Sequence, residues 1–260
     1  MSAGTRFGDV RRLAEVDSTN RYLLDEARAG AEAGMVVVAD HQSEGRGRLG
    51  RRWEAPAGAN LLVSVLLRPA LAVSELHLCT LAMALAARTA CAAVTAVLPA
   101  LKWPNDLVVG ERKLAGILAE TLPDDTGGRA VVVGLGVNVG WPAPEGEPGA
   151  DEPPVDLGPA TSLWRESGRR ISPRDLLPVL LQDLGGRLDE LASAEGRRRL
   201  TAEYRSCCAT LGQEVRVTLP GETVTGSVAD ITVEGHLLVD VGACIRTITV
   251  GDVVHLRASH

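Results

Sequence analysis

A glycine-rich segment, GRGRLGRR, begins at Gly45 and contains four arginines within a span of seven residues. Such a cluster repels itself unless an anion sits among the guanidinium groups, which bind carboxylate and phosphate through paired hydrogen bonds. Trp53 follows directly, and its flat ring could stack on a base or complete a small core. The segment therefore suits a ligand that carries a carboxylate and a phosphate, and a solvated basic loop is the alternative.

The glycines of this segment also match a dinucleotide-binding pattern. Gly45, Gly47 and Gly50 fit G-x-G-x-x-G, which has a mechanical meaning only between a strand and a helix of a βαβ unit. Pro56 and Gly58 leave no room for the crossover helix, so we reject that interpretation. The sequence also contains no P-loop, G-x-S-x-G or H-E-x-x-H motif, which removes the commonest phosphate-binding, esterase and zinc-protease interpretations.

Other segments place polar groups in apolar surroundings. KWPNDLVV puts Asn105 and Asp106 in a turn between two apolar runs, which alone is ordinary turn chemistry. In KLAGILAE, Lys113 begins an apolar strand that contains Gly116, and an interior glycine often marks the close approach of a ligand or backbone. Asn138 is the only polar side chain in GLGVNVG and needs partners if it is buried. Lys113 is therefore a candidate for contact with an anionic centre.

The elements that must position these segments follow from hydrophobic periodicity. The predicted helices are Arg21–Ala29, Glu75–Val94, Ser172–Leu191 (weakened or kinked by Pro178 and Gly185-Gly186) and Ala194–Cys207. The predicted strands are Met35–Ala39, Asn60–Leu67, Leu101–Lys102, Leu107–Val109, Leu114–Glu120 and Ala130–Val139. Two segments lack a period: Gln42–Ala59 is a long loop, and the proline-rich Pro142–Pro159 is predicted to be exposed and irregular. After Gly212, short alternating strands predict a small β-barrel or sandwich.

The composition narrows the class of protein. The 260 residues carry a formal charge of −6 and only 3% are aromatic, so the chain lacks the basic excess and stacking platforms of a general nucleic-acid binder. The five cysteines show no zinc-site spacing and predict free thiols in a reducing, cytoplasmic setting. The longest uncharged apolar stretch, Leu76–Ala87, is shorter than the roughly 20 residues that span a bilayer. We therefore expect no membrane association.

Five motifs, in their order and spacing, resemble those of biotin protein ligases. They are STN at Ser18–Asn20, GRGRLGRRW at Gly45–Trp53, KWPNDL at Lys102–Leu107, KLAGILAE at Lys113–Glu120 and GLGVNV at Gly134–Val139. The resemblance covers essentially the whole chain and implies an α+β fold. A mixed sheet flanked by helices, like the class II aminoacyl-tRNA synthetase and biotin synthetase catalytic domain, would occupy residues 1–208, and an SH3-like small β-barrel would occupy residues 209–260.

This resemblance also implies the reaction. The biotin carboxylate would attack the α-phosphorus of MgATP to give biotinyl-5′-AMP and pyrophosphate, and a lysine of a biotin carboxyl carrier domain would then take the biotinyl group. ATP and Mg²⁺ would act as co-substrate, with no permanently bound cofactor. The implied partner is the carrier domain of an acyl-CoA carboxylase such as acetyl-CoA carboxylase. Members that repress transcription carry an N-terminal helix-turn-helix domain; STN comes by residue 18, so we expect the monofunctional type, without DNA binding.

Matching the motifs residue by residue assigns the site. The biotin site would comprise Ser18, Thr19, Asn20, Gln42, Arg46, Gly47, Arg48, Lys113 and Gly116. The ATP and adenylate site would comprise Arg46, Arg48, Arg51, Trp53 (stacked on the adenine), Asn105, Lys113 and Asn138 (hydrogen-bonded to the adenine). Arg48, Lys113 and Asp106 would act in catalysis, with Asp106 orienting either Mg²⁺ or the incoming lysine.

Three questions stay open in the sequence. Lipoate attachment uses a related fold and the same acyl-adenylate chemistry, although GRGR and KWPND favour biotin. Nucleic-acid binding by the C-terminal module is disfavoured because Gly212–His260 has no excess of basic residues and no Phe, Trp or Tyr. The family contains monomers and dimers, so the oligomeric state is not predicted.

Overall fold

A mixed β-sheet carries the motifs. The computed structural model describes residues 6–123, 128–150, 159–219, 221–249 and 251–256. Within these ranges the sheet contains β1 (Val10–Val16), β2 (Val36–Gln42), β3 (Leu61–Leu67), β4 (Ala100–Lys102), β5 (Asp106–Val109), β6 (Arg112–Pro123) and β7 (Arg129–Val137). The strand order is β1-β2-β3-β7-β6-β5-β4, in which β1 and β2 are parallel and the other neighbours antiparallel.

The centre of this sheet is its most apolar part. All seven residues of β3 are buried, and β7 is buried at all but two positions. Strands covered on both faces read as continuous apolar runs, which is why the sequence predicted both of them. Strand β1 was not predicted, because it lies at the edge of the sheet and its sequence, VRRLAEV, leaves several polar side chains exposed.

Helices cover the sheet. They are α1 (Thr19–Arg28), α2 (Leu78–Thr95), α3 (Leu163–Ser167), α4 (Pro173–Glu190) and α5 (Ala194–Ser206). Helix α2 is apolar nearly all round because it packs on the sheet with α4 and α5 outside it. With the turn before it, Val73–Thr95 is long and apolar enough to cross a membrane by length and composition, and most of it is buried inside the protein. The helix continues beyond the uncharged stretch Leu76–Ala87, and Arg88, which follows that stretch, donates to Pro99 O (2.9 Å).

The helix predicted to begin at Ser172 is present as α4, and its weakening or kinking by Pro178 and the glycine pair stays a prediction. The helix runs through Pro178 and the glycine pair as one element of 18 residues. Its start is well defined, because the Ser172 side chain accepts from the helix backbone while Asp175 caps the Ser172 N–H. A β-carbon at Gly185 would lie 3.9 Å from the Phe7 ring, an ordinary van der Waals contact. The irregular segment predicted after Pro142 is built of turns as far as residue 150, and residues 151–158 of it lie outside the described residues.

The C-terminal strands form a second, smaller sheet. They are β8 (Glu214–Leu219), β9 (Glu222–Ile231), β10 (Leu237–Asp240), β11 (Ile245–Ile248) and β12 (Asp252–His255), in the order β11-β10-β9-β8-β12. Burial alternates along β8, where Val215 and Val217 face inwards. The predicted α+β class, with a mixed helix-flanked sheet and an SH3-like β module, is confirmed. The boundary predicted between residues 208 and 209 stays a prediction.

Backbone and side-chain contacts fix the second sheet to the first. Leu101 of β4 donates to Cys207 O (2.9 Å) and accepts from the Ala209 N–H (2.7 Å). Trp103 is 3% exposed and donates from Nε1 to Gly235 O in the turn between β9 and β10 (3.0 Å). The KWPND segment therefore positions the C-terminal module.

A pair of stacked histidines lies at the same junction. The rings of His77, at the start of α2, and His236 are 4.9 Å apart. Burial, and then the charge of His236, lowers the pKa of His77 to about 4. Glu75 and Glu234 act in the opposite direction on the same ring. In the folded protein at pH 7, the His77 side chain is therefore a neutral imidazole.

We expect this histidine to make stability depend on pH. The unfolded chain binds a proton at His77 near its ordinary pKa of 6.5 and the folded chain only near 4. The free energy of unfolding should therefore fall as the pH drops from about 6.5 towards 4, by at most about 3 kcal/mol from this group. Urea unfolding at pH 7 and pH 4.5 measures the loss, which should be smaller in His77→Gln. Equal losses in both proteins would contradict the assignment.

Candidate active site

A pocket opens on one face of the large sheet, above a row of residues that are paired directly across four strands. Leu62 of β3 pairs with Gly136 of β7, Gly136 with Gly116 of β6, and Gly116 with Asp106 of β5. Together with its mouth, the pocket contains about 710 Å³ of free space. Its lining combines apolar side chains with a few polar and charged groups, as small-ligand sites do.

The two central glycines of that row make a floor on which Trp53 lies. A β-carbon on Gly136 would come within 2.5 Å of the Trp53 ring, and one on Gly116 within 2.9 Å. The close approach predicted at Gly116 is therefore the approach of this ring. The indole Nε1 is buried and has no hydrogen-bond partner among the described residues, so a bound acceptor would satisfy it.

At one end of the pocket, buried hydroxyl and amide groups form a network. The Thr19 backbone N–H and hydroxyl both donate to Gln42 Oε1, at 2.8 and 2.9 Å. Ser64 Oγ lies 2.7 Å from both Thr19 Oγ1 and Asn20 Oδ1. Thr19, Asn20 and Ser64 are each at most 4% exposed. Such a network holds polar groups in fixed orientations and can read the hydrogen-bonding pattern of a neutral ligand.

Glu120 at the end of the KLAGILAE motif connects this network to the arginine-rich segment. Its carboxylate accepts from Asn20 Nδ2 (2.9 Å) and forms an ion pair with Arg46 Nη1 (2.9 Å). The sequence gave no role to Glu120. Its contact with Asn20, 100 positions away in the chain, depends on the register between α1 and the sheet.

The arginine-rich segment is a small hairpin, where the sequence predicted a loop without structure of its own. Trp53 N donates to Gly45 O (2.9 Å), Gly47 N donates to Arg51 O (2.7 Å), and Arg48–Gly50 forms the tip. Leu49 at the tip has a φ of 58°, a left-handed conformation that costs a residue with a β-carbon about 1–2 kcal/mol. Contacts made by the arginine side chains must therefore hold the hairpin in place.

Cations gather at the other end of the pocket. Its lining contains Lys113 and four arginines against two carboxylates, those of Asp106 and Asp252. Lys113 Nζ lies 2.8 Å from Asp106 Oδ1 and 5.6 Å from the centre of the Trp53 ring. Burial lowers the pKa of Arg48, and the nearby Asp252 and Asp106 carboxylates partly offset that effect. The net positive charge makes this end suitable for anionic groups.

The structure brings most of the predicted site residues into this one pocket. Its lining includes Ser18, Thr19, Asn20, Gln42, Arg46, Gly47, Arg48, Arg51, Trp53, Asn105, Asp106, Lys113 and Gly116. Residues that sequence reasoning missed also line it, among them Arg52, Leu62, Ile117, Leu118, Gly134, Leu135, Gly136 and Asp252. The alternation of Gly134 and Gly136 along one strand was a usable signal for the floor, whereas nothing local marks Asp252.

Asn138 is the predicted residue that the structure does not place in the pocket lining. It is 4% exposed, accepts from Asn60 Nδ2 (3.0 Å), and donates to Lys113 O (3.4 Å). The expected hydrogen bond to an adenine stays a prediction. The Asn138 amide ties the end of β7 to the backbone of Lys113.

A mixed sheet with a polar, buried subsite beside a cationic one, and a second small β-sheet docked on it, defines a ligase of the acyl-adenylate type. A family model described as "Biotin/lipoate A/B protein ligase family" matches residues 13–138, and one described as "Biotin protein ligase C terminal domain" matches residues 210–256. The chain is 39% identical to the biotin–[acetyl-CoA-carboxylase] ligase of Mycobacterium tuberculosis, over 99% of this chain and 92% of that protein. The chain belongs to the biotin protein ligase family.

Solved structures agree with this assignment. The biotin protein ligase of Aquifex aeolicus in complex with biotin and ATP superposes with a TM-score of 0.79 and 28% identity, over 97% of this chain and 100% of that chain. The Leishmania major enzyme in complex with biotinyl-5-AMP gives a TM-score of 0.64 and 25% identity, over 96% of this chain and 99% of that chain.

The glycine floor leads to a prediction. In Gly136→Ala, the new methyl group would overlap the Trp53 ring, and overpacking of this kind costs about 1–3 kcal/mol if the ring stays in place. Because Trp53 lies on a hairpin, we expect the ring to leave the floor and its fluorescence to shift to longer wavelength. Gly186→Ala is the matched control, since a β-carbon there meets nothing within 4 Å. The shift should disappear in a Trp53→Phe background, and a shift that persists there would contradict the model of the floor.

Proposed function

We propose that this chain activates biotin with ATP to biotinyl-5′-AMP and transfers the biotinyl group to a lysine of a biotin carboxyl carrier domain, that of acetyl-CoA carboxylase in the cytoplasm. One observation carries the proposal: a buried hydroxyl and amide network and a group of cations, Lys113, Arg48 and Arg51, line different parts of the same pocket. Biotin has a neutral ureido ring at one end and a carboxylate at the other, and this pocket offers a partner for each.

The first step needs electrostatic stabilisation more than acid–base chemistry. A biotin carboxylate oxygen forms a bond to the α-phosphorus, and the bond from that phosphorus to the pyrophosphate oxygen breaks. Two anions must be held together, and preorganised cations supply this in a site that excludes water. Lys113 lies between Asp106 and Trp53 on the floor of the pocket, so we assign it to the carboxylate and the α-phosphate. Arg48 and Arg51 lie at the same end and suit the remaining phosphate charge.

Mg²⁺ would enter as part of the ATP substrate. The described residues contain no cluster of three or more His, Cys, Asp or Glu side chains that could hold a metal ion. Mg²⁺ commonly binds through one or two carboxylates together with substrate phosphates, and Asp106 could provide one of them. In the second step the same carboxylate could orient the incoming lysine, whose amine attacks the acyl carbon as AMP leaves. Both roles of Asp106 stay predictions.

The arginine-rich hairpin would shield the mixed anhydride. It lies over the pocket through Arg46 and Arg48, and Trp53 at its base covers the floor. Excluding water protects a labile acyl-adenylate until the carrier lysine arrives.

The test of the proposed function is a transfer assay. The purified protein is incubated with MgATP, a biotin carboxyl carrier domain, and either biotin or lipoate, and the carrier is weighed by mass spectrometry. We expect a biotinyl addition on the carrier lysine, and no addition when that lysine is replaced by arginine. Lipoyl addition without biotinyl addition would overturn the assignment in favour of lipoate attachment.

Lys113 gives a sharper prediction. Lys113→Ala removes a cation that faces the reacting groups, and we expect adenylate formation to slow by about 10²- to 10³-fold, as for other lost donors of this kind. Biotin-dependent pyrophosphate release measures the rate. Lys102 is the other lysine of the chain and does not line the pocket, so Lys102→Ala is the matched control. Near-normal pyrophosphate release from Lys113→Ala would rule out the assigned role.

A further inference from the structure

An irregularity in β6 directs Lys113 towards the pocket. The residues of β5 that pair with Ala115 and with Lys113 are consecutive, so Leu114 is one extra residue in β6, a β-bulge. Side chains alternate between the two faces of a regular strand, and Lys113 and Gly116, three positions apart, would then lie on opposite faces. With the bulge, both residues line the pocket. The direction of the Lys113 side chain therefore depends on the bulge.

A short segment that begins at Pro159 binds the backbone of the bulge. The Lys113 N–H donates to Pro159 O (2.8 Å), and Lys113 O accepts from the Thr161 N–H (2.9 Å). Ala160 thereby pairs with Lys113 in parallel orientation, just beyond Ala115, where the pairing of β6 with β7 ends. This segment thus takes the place of β7 as the neighbour of Lys113.

The segment is buried and its hydroxyl groups are satisfied. Thr161 and Ser162 are both 0% exposed, and Ser162 Oγ donates to Pro142 O (2.7 Å). The Thr161 hydroxyl donates to the carboxylate of Glu166 on α3. A buried hydroxyl without a partner is costly, so loss of this carboxylate would disturb Thr161.

Glu166 connects both sides of the pairing. Its carboxylate accepts from Thr161 Oγ1 and also forms an ion pair with Arg112 Nη2 (2.8 Å), one residue before Lys113 in β6. The Glu166 side chain is only 13% exposed, so these contacts are screened less than those of a surface pair. Glu166 is not among the described residues that line the pocket, so an effect on the reaction must pass through Lys113.

We propose that Glu166 is a positioning residue: through Thr161 and Arg112 it holds the bulge of β6 and so keeps the Lys113 amine directed into the pocket. The effect on catalysis rests on the proposed function, because it assumes the role assigned to Lys113. The effect on the Lys113 backbone does not, because it concerns the protein without substrates.

Nuclear magnetic resonance of the full chain labelled with [15N]lysine tests the backbone effect. The chain has two lysines, Lys102 and Lys113, so the spectrum contains two lysine amide signals, which Lys102→Arg assigns. Glu166→Ala keeps a good helix former in α3. In this variant we expect the Lys113 signal to move and its amide to exchange with solvent about 10-fold faster, the scale of one lost hydrogen bond to a charged group. The Lys102 signal should not change.

Conservative variants separate the contact from a general loss of structure. Glu166→Gln still offers a carbonyl to Thr161 and should keep most of the protection of the Lys113 amide. Thr161→Val should change the Lys113 signal as Glu166→Ala does, whereas Thr161→Ser should not, and this pair decides the question if Glu166→Ala does not fold. Glu222→Ala removes a carboxylate from another ion pair, that with Arg246, and should leave both signals unchanged. An unchanged Lys113 signal in Glu166→Ala and Thr161→Val, or equal changes in both lysine signals, would overturn the proposal.

With substrates present, Glu166→Ala should lower the kcat of adenylate formation by about 10- to 10²-fold, the scale on which a misplaced reacting group slows catalysis. The KM for biotin should change less, because the hydroxyl and amide network is untouched. In a Lys113→Ala background the same substitution should have no further effect, since a positioning residue acts through the group that it positions. Independent, additive losses would contradict the positioning role.

The two proposals fail in different ways. A Lys113 amide that responds to Glu166→Ala in a protein whose wild type does not activate biotin would refute the proposed function and leave the positioning of Lys113 standing. Biotin activation by the wild type, with an unchanged Lys113 amide and an unchanged kcat in Glu166→Ala, would refute the positioning role alone.

Discussion

The site depends on the register between β6 and β7. That register places Gly116 directly opposite Gly136, and two residues without β-carbons side by side leave a flat patch in the middle of a buried sheet. A shift by one residue would turn valine or leucine side chains to this face and fill the pocket. The indole of Trp53 can lie on the sheet only because this patch has no β-carbons. The contact of the indole with the patch also sets the distance between the sheet and the hairpin that carries Trp53.

Several charged side chains of the protein are concentrated at the same pocket. A chain with a net charge of −6 concentrates five cations around one small pocket, and the carboxylates of Asp106, Asp252 and Glu120 each pair with one of them. These pairs lower the mutual repulsion of the cations while leaving the pocket lining positive. The carboxylates therefore offset part of the electrostatic repulsion between the cations within the folded protein, before a substrate anion arrives.

The parts of the structure that were predictable from sequence are those with a local signal. The apolar runs of β3 and β7 and the alternation in the C-terminal strands each follow from short-range patterns. Ordered motifs placed Thr19, Gln42, Arg48 and Lys113 in one site. Glu120 and Asp252 escaped notice because their contacts, with Asn20, Arg46 and Arg51, cross the fold, and an acidic residue at a strand end has no distinctive local pattern. The contacts of Asn138 with Asn60 and with the backbone of Lys113 likewise join distant parts of the chain and have no local signal.

The row of paired residues above which the pocket opens also has a consequence for how the protein folds. Gly136, Gly116 and Asp106 come from three strands that follow one another in the chain, whereas Leu62 lies on β3, far before them in sequence. Closing the distant β3–β7 pair is entropically expensive, so we expect it to form late relative to local helices and hairpins. Binding competence therefore arises only once β7 has inserted between β3 and β6. In a nascent or partly folded chain, Leu62 and Gly136 are not yet paired, so the arginine-rich segment has no complete surface to pack on. Only molecules that have completed the central sheet would then produce activated biotin.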